Sequence, residues 1–266
     1  MIYFVATPIG NLKDITLRAL ETLRAADMIF CEDTRHSLKL LNAYDIKKPL
    51  FSCHKFNERE AAEKIIAAAK DGKEVAVISD AGMPVVSDPG NIVCEELRRQ
   101  GVEYTVIPGA NAALSALVLS AFSAERFAFI GFLPDKAGER RELLNKYKNL
   151  DMTLIFHVAP QDVDRHICAV YEVFGERRAC AVREITKLHE EAQFFKLSEG
   201  LPGEKRGEYV LIVEGGKCEN ELCKLPEKEH ILHYMSGGMD KKEAVKQAAK
   251  DRGVPKSEMY KFSLDL

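Results

Sequence analysis

The 266 residues are 46% apolar and 30% charged, with 38 lysines and arginines against 41 aspartates and glutamates and a net charge of −3. That composition describes one large or two modest globular domains rather than a disordered or fibrous chain. It also excludes a protein coated in positive charge, so nucleic acid is not the first partner it suggests. The longest nearly apolar run, 112–122, is interrupted by serines and too short to span a membrane. No basic stretch precedes the strand-like Ile2, so a signal peptide is not expected.

In chain order, β-branched and aromatic runs predict strands at Ile2–Thr7, Met28–Cys31, Glu74–Ser79, Glu103–Ile107, Phe127–Gly131, Thr153–His157, Arg178–Val182 and Tyr209–Glu214. Helical periodicity occupies Thr16–Arg24, Glu58–Lys70, Pro89–Arg99 and Asn111–Phe122. Asn57-Glu58-Arg59-Glu60 reads as a capping box, Ser87-Asp88-Pro89 as a cap followed by a first-turn proline, and Asn111 as the cap of the next helix. Strands alternating with helices predict an α/β fold with a largely parallel sheet. Proline, charge and glycine after Gly131 mark one boundary, and Gly215-Gly216 opens a second junction that extends to Leu225. The expected divisions are therefore an α/β domain over 1–131, a second α/β domain over 132–216, and a small helical segment over 217–266.

Seven cysteines (Cys31, Cys53, Cys94, Cys168, Cys180, Cys218 and Cys223) are an odd number with no C-x-x-C pair. They read as reduced thiols of a cytoplasmic protein. His54, His157 and His189 lie too far apart in sequence for a ligand motif, so no metal is expected.

Chemistry concentrates in four loops that follow strands: 6–11, 31–35, 79–90 and 108–112. In an open α/β sheet the ligand site lies at the carboxyl ends of the strands, so these loops should converge on one edge. No G-x-G-x-x-G opens the first helix and no Walker loop is present. Asp80 and Asp88 flank the central loop, which has no lysine or arginine to hold a phosphate. Such a site suits a cationic or hydroxyl-rich ligand better than a polyphosphate, and S-adenosylmethionine, with a sulfonium, an ammonium and a ribose diol, has that chemistry.

The loop residues themselves carry a resemblance. Val5-Ala-Thr-Pro-Ile-Gly-Asn-Leu12, Glu32-Asp-Thr-Arg35, Ser79-Asp-Ala-Gly82, Ser87-Asp-Pro-Gly90 and Ile107-Pro-Gly109 resemble the tetrapyrrole-methylase superfamily. More narrowly, they are similar to the bacterial branch that 2′-O-methylates a cytidine in 16S rRNA at the decoding centre. Gly131-Phe-Leu-Pro134, Arg183-Glu-Ile-Thr-Lys187, His189-Glu190 and Arg206-Gly-Glu-Tyr209 extend the match over nearly the whole chain. The resemblance implies two α/β domains with a cofactor cleft between them, bound S-adenosylmethionine and a homodimer. It implies cofactor contacts from Pro8, Asp80, Gly82, Val85, Val86, Asp88, Ala110, Asn111 and Ala112, with further contacts around Phe156 and Glu208. Three departures stand out. Met83 replaces a threonine, Phe156-His-Val-Ala-Pro160 replaces Phe-Tyr-Glu-Ser-Pro, and Lys55 and Phe56 are substituted within His54-Lys-Phe-Asn-Glu58.

A ribose hydroxyl is a poor nucleophile near neutral pH, so a base or cation should assist; the candidates are Glu32, His54, Glu184 and Lys187. Lys187 would serve as a base if desolvation lowered its pKa, or as a cation beside the developing alkoxide. RNA contact is expected from Arg35, Lys55 and Arg183, and from the segment 240–262, where seven basic residues face four acidic ones. Its Lys242, Lys246, Lys250 and Arg252 make it a candidate docking element, so the global −3 averages a basic tail with an acidic body. Methylation of a small macrocycle or a modified protein side chain on the same scaffold, and a non-catalytic ribosome-binding protein, are the alternatives.

Overall fold

The computed structural model describes residues 1–216 and 221–266. Cys218, and the part of the predicted junction 215–225 that falls at 217–220, lie outside the described residues. The first sheet contains β1 (Ile2–Val5), β2 (Met28–Cys31), β3 (Leu50–Ser52), β4 (Val75–Ile78) and β5 (Tyr104–Ile107), in the order β3-β2-β4-β1-β5. All four pairings are parallel, so every carboxyl end lies on the same edge. Alternation sorts the side chains between two faces. Phe4, Phe30, Val75 and Val77 meet α3 (Glu58–Lys70) and α4 (Asn91–Arg99) through Ile65, Ile66, Val93 and Leu97. Val5, Ile29, Ala76 and Ile78 meet α1 (Leu17–Ala25) and α2 (Thr34–Ala43) through Leu23 and Leu41. Covered on both faces, the central strand β4 is a continuous apolar run, as a buried parallel strand should be.

The second sheet contains β6 (Phe127–Phe132), β7 (Thr153–Val158), β8 (Arg178–Arg183), β9 (Glu191–Lys196) and β10 (Tyr209–Val213), in the order β6-β7-β10-β8-β9. Only β6 and β7 are parallel; the other three pairings are antiparallel, which corrects the expectation of a largely parallel sheet for this half. For β8 and β9 the reason is local: residues 184–190 join them as a short turn, where a parallel neighbour would need a long crossover. Helix α5 (Ala112–Ser120) packs Ala113, Ala116 and Leu117 onto this sheet against Ile155, Val182, Val210 and Ile212. Helices α6 (Ala137–Tyr147) and α7 (Val163–Phe174) complete the half.

By contacts the chain divides into one unit of 1–145 with 152–214, which holds both sheets, and a second of 146–151 with 215–266. The second unit has helices α8 (Glu227–Ser236), α9 (Lys241–Arg252) and α10 (Lys256–Lys261) around Ile231, Val245, Ala248 and Met259. Its core includes a polar network: fully buried His230 lies between Asp251 and Arg252, and Tyr234 donates to Asp251. Among the described residues no helix is long and apolar enough to cross a membrane.

Two predicted caps are built differently. Asn57 makes no side-chain cap to α3; its carboxamide instead braces the loop before it. Helix α4 begins at Asn91 rather than Pro89, and buried Glu58 caps it from α3, its Oε2 accepting from Gly90 N and Ile92 N at 3.1 Å each. Asn111 does cap α5, accepting from Leu114 N at 3.0 Å. Removing the Glu58 carboxylate strands two donors at a buried helix start. E58A should therefore cost about 1–3 kcal/mol, read as a lower urea midpoint, with E58Q closer to wild type because its amide oxygen still accepts.

Candidate active site

Two of the predicted loops, 6–11 and 79–90, are pinned together at the carboxyl edge of the first sheet. Thr7 N donates to Gly82 O at 2.9 Å and Gly82 N returns a bond to Thr7 O at 3.1 Å, while Thr7 Oγ1 donates to Ser79 O. Gly82 has φ +82° and lies so close to Ile9 that a Cβ would sit 3.1 Å from its Cγ2. Beyond it, Val85 and Ser87 are both held at positive φ, +76° and +66°. For β-branched Val85 this is a strained conformation, maintained only because the loop is fixed at both ends.

This loop forms one wall of a cavity of about 400 Å³. Gly82, Met83, Val86, Ser87 and Asp88 line it from the first sheet, with Ile9 and the start of α5 at Asn111, Ala112 and Ala113. The second sheet supplies Phe129, Phe132, His157 to Pro160, Ile185 and Glu208 to Val210. The lining is mainly apolar, carries the carboxylates of Asp88 and Glu208, and contains no lysine or arginine.

Beside the cavity carboxylates gather with little to neutralise them. Asp88 is pushed up to about 6 by burial and then by the charge of Glu32, with Asp80 adding to it and the Ser79 hydroxyl opposing. Glu32 is raised by burial and by Asp80, against the pull of His54. Asp80 accepts from Asp33 N at 3.1 Å. Asp33 caps α2 and is held at about 2 by the Arg35 guanidinium, so Arg35 pairs with Asp33 and not with Glu32.

The opposite rim is organised around Lys187. Its Nζ donates to Glu184 Oε1 and Glu208 Oε2, each at 2.9 Å, and Glu184 Oε1 also accepts from Glu208 N. Burial works against the ammonium, but the two carboxylates outweigh it and raise the Lys187 pKa, which overturns the idea of a desolvated lysine base. Glu184 is lowered by the Lys187 hydrogen bond. The loop is tight: Glu184 and Thr186 are at positive φ, and a Cβ on Gly207 would sit 2.4 Å from the Glu184 carboxyl. The Lys187 stem covers Gly10, where a Cβ would be 2.6 Å from Cγ.

Of the residues expected to touch a cofactor, Gly82, Val86, Asp88, Asn111 and Ala112 line the cavity. Pro8, Asp80, Val85 and Ala110 do not: Pro8 is buried in its turn, Asp80 faces the Asp33 amide, Val85 packs on the core, and Ala110 backs Gly82. Glu32, His54, Glu184 and Lys187 stand outside the lining, Glu32 linked to it through Asp88, and Glu184 and Lys187 through Glu208. Phe156 is fully buried in β7, whereas Glu208 does line the cavity. Among the basic candidates, Lys55, Lys242, Lys246 and Lys250 are exposed and Arg183 pairs with Glu191 at 3.2 Å. Arg252 is turned to the interior of the second unit, bonded to Glu227, His230 and Leu225 O, and so holds that fold together rather than offering a free surface charge.

Sequence reasoning passed over Ile9, Phe129, Phe132 and His157. The signal for the two phenylalanines was Gly131, because a glycine inside a strand marks a bulge or a close approach. Here it is both: β6 shifts register between Phe129 and Gly131, and Gly131 passes within 3.0 Å of Ser87 Oγ by the position a Cβ would take. His157 stands edge-on to both rings, at 4.9 and 5.4 Å between centroids. Burial lowers its pKa against the charge of Glu208, and among the described residues its buried Nε2 has no hydrogen-bond partner.

Residues 1–201 match the model of the tetrapyrrole (corrin/porphyrin) methylase family, and the chain belongs to that family. Solved structures share the fold: a diphthine synthase with a TM-score of 0.61 at 16% identity, covering 80% of this chain and 89% of its own. A uroporphyrin-III C-methyltransferase from Thermus thermophilus, complexed with S-adenosylhomocysteine, has a TM-score of 0.57 at 18% identity over 79% and 96% of the two chains. More narrowly, the chain groups with proteins named ribosomal RNA small subunit methyltransferase I. The one from Bacillus subtilis is 42% identical over 98% of this chain and 92% of its own, and that from Haemophilus influenzae is 40% identical over 99% and 96%.

A carboxylate whose pKa is raised by the fold destabilises it wherever it is ionised. For Asp88 the penalty is fully present above about 6 and gone below about 4, where the unfolded chain is protonated too. D88N should therefore melt about 2–4 °C above wild type at pH 7.5, and the gap should close as the pH falls to about 4. Equal melting at both pH values would show that Asp88 carries no such penalty.

Proposed function

We propose that this chain transfers a methyl group from S-adenosylmethionine to the ribose 2′-hydroxyl of a cytidine in 16S rRNA, acting on the small ribosomal subunit in the cytoplasm as a homodimer. The observation that carries the reading is the near-full-length similarity to proteins named ribosomal RNA small subunit methyltransferase I. The cavity supports it by the chemistry of its walls. Its volume lies within the roughly 300–1,000 Å³ of small-molecule sites. Its carboxylates suit a ligand carrying a sulfonium and an ammonium, and the absence of lysine and arginine from the lining disfavours a polyphosphate.

Asp88 and Glu208 would hold the cationic groups, and Asn111 with the positive end of α5 the carboxylate. Gly82, Val86, Ala112, Phe129 and Phe132 would enclose the apolar parts, while Pro8, Asp80, Val85 and Ala110 shape the loops behind them. S-Adenosylmethionine supplies a methyl group on a sulfonium, an electrophile for in-line displacement. The protein's part is to align the acceptor hydroxyl and take its proton. Glu184 is already occupied by Lys187 and the Glu208 amide, and Lys187 stays an ammonium, placed to stabilise developing negative charge. Glu32, whose pKa is raised by burial and by Asp80 against the pull of His54, would receive the proton. Arg35, Lys55 and Arg183 contact the RNA near the cavity. Lys242, Lys246 and Lys250 repeat every four residues on α9 and form a separate basic stripe.

Labelled S-adenosylmethionine and small subunits from a strain lacking the modification test the reading. The expected product is one methyl group on the 2′-oxygen of a single cytidine in 16S rRNA. No incorporation, or a methyl on a base or a ribosomal protein, overturns it. In the same assay E32Q should lower kcat by about 10²-fold or more with S-adenosylmethionine affinity within threefold of wild type; an unchanged kcat removes Glu32 as the base.

A further inference from the structure

Phe56 and Leu188 are both 93% exposed, more than any other large apolar side chain among the described residues. A lone exposed apolar residue is ordinary on a protein surface. Phe56 differs in how it is held. It sits at the tip of the turn that follows β3, at the carboxyl edge of the first sheet, and that turn is braced from within. His54 N donates to Asn57 Oδ1 at 2.7 Å, and Asn57 N donates to His54 O at 2.9 Å. The Asn57 carboxamide nitrogen donates to Ser52 O and Ser52 Oγ at 3.1 and 3.2 Å. The side chain that was expected to cap α3 is spent on this turn instead.

The brace fixes the backbone on both sides of a phenyl ring that the core does not use. Among the described residues the ring's one aromatic neighbour is His54, edge-on at 6.2 Å between centroids. The adjoining Lys55 is exposed, so an aromatic face and a positive charge project from the same turn. The turn is also close to the chemistry, since the charge of His54 acts on Glu32 and that of Glu32 on Asp88 in the cavity wall. A pre-ordered aromatic ring loses little freedom on binding, and base stacking on such rings is tolerant of sequence.

We propose that Phe56 is a stacking platform for an unpaired nucleobase of the RNA substrate, with Lys55 neutralising a neighbouring phosphate. This rests on the functional reading above and adds to it a residue that grips the substrate without touching the cofactor. Stacking needs a flat π-face, so Tyr and Trp should replace Phe, whereas Leu, apolar but not flat, should not.

The test measures binding of the full chain to small ribosomal subunits lacking the modification, for wild type, F56A, F56L, F56Y and F56W. S-Adenosylmethionine affinity and melting temperature are measured alongside. F56A and F56L are expected to bind subunits roughly 5- to 150-fold more weakly. F56Y and F56W should stay within about threefold, with cofactor affinity and melting unchanged in all four. Wild-type affinity in F56A and F56L overturns the inference and leaves the functional reading intact. Equal loss in all four variants, or restoration by Leu, also overturns it, because neither follows from stacking. Absence of subunit binding by wild type itself overturns both.

Discussion

At one sheet edge the charges of Glu32 and Asp80 raise the proton affinity of Asp88, and Asp80 raises that of Glu32 against the pull of His54. A fold selected for stability alone would not hold carboxylates this way, since each one ionised beside another costs free energy that a lysine or arginine would recover. Arg35, the nearest guanidinium in sequence, is engaged by Asp33 instead. The result is a negative region against a mostly apolar cavity whose lining contains no lysine or arginine. It is an unfavourable arrangement on its own and a favourable one for a cation.

The rest of the unit holds that arrangement in place. Parallel pairing brings the loops after β1, β2, β4 and β5 to one edge. The reciprocal bonds of Thr7 and Gly82, and the cap that Glu58 provides to α4, fix the two ends of the strained 82–90 loop. Helix α5 leaves the first sheet but buries its apolar face on the second, so its first turn opens at the cavity with Asn111 already satisfied. From the second sheet, the bulge at Gly131 passes β6 closely by Ser87 and presents Phe129 and Phe132 to the same space. On the far rim Glu184, Lys187 and Glu208 form a closed set of bonds, which gives the lysine its charge and its position together.

Much of the fold was legible because its signals are local. Apolar β-branched runs such as Val75–Ile78 announce buried strands, and Asn111 announces a helix start. Helix α2 was hidden because Thr34 to Ser37 is polar enough to read as loop, and β9 because Glu191 to Lys196 alternates weakly. The antiparallel second sheet depends on which strands meet, and a one-dimensional pattern does not encode that. At the cavity, motif residues with side-chain chemistry, Asp88 and Asn111, are among those that line it. The apolar wall was not, because Phe129 and Phe132 look like any core residues until the bulge turns them. Pro8, Asp80, Val85 and Ala110 came with their motifs and stand outside the lining. Arg252 was read as surface charge because sequence does not show that His230 and Glu227 wait for it.

On the proposed function, the cavity selects an adenosyl ligand carrying positive charge and rejects one carrying phosphate. Titration calorimetry of the full chain against S-adenosylmethionine and, separately, against ATP tests it with the same base and ribose on opposite charges. One S-adenosylmethionine per chain is expected and, for ATP, binding at least a hundredfold weaker, about 2.7 kcal/mol or more. Equal affinity for the two, or a preference for ATP, would contradict it.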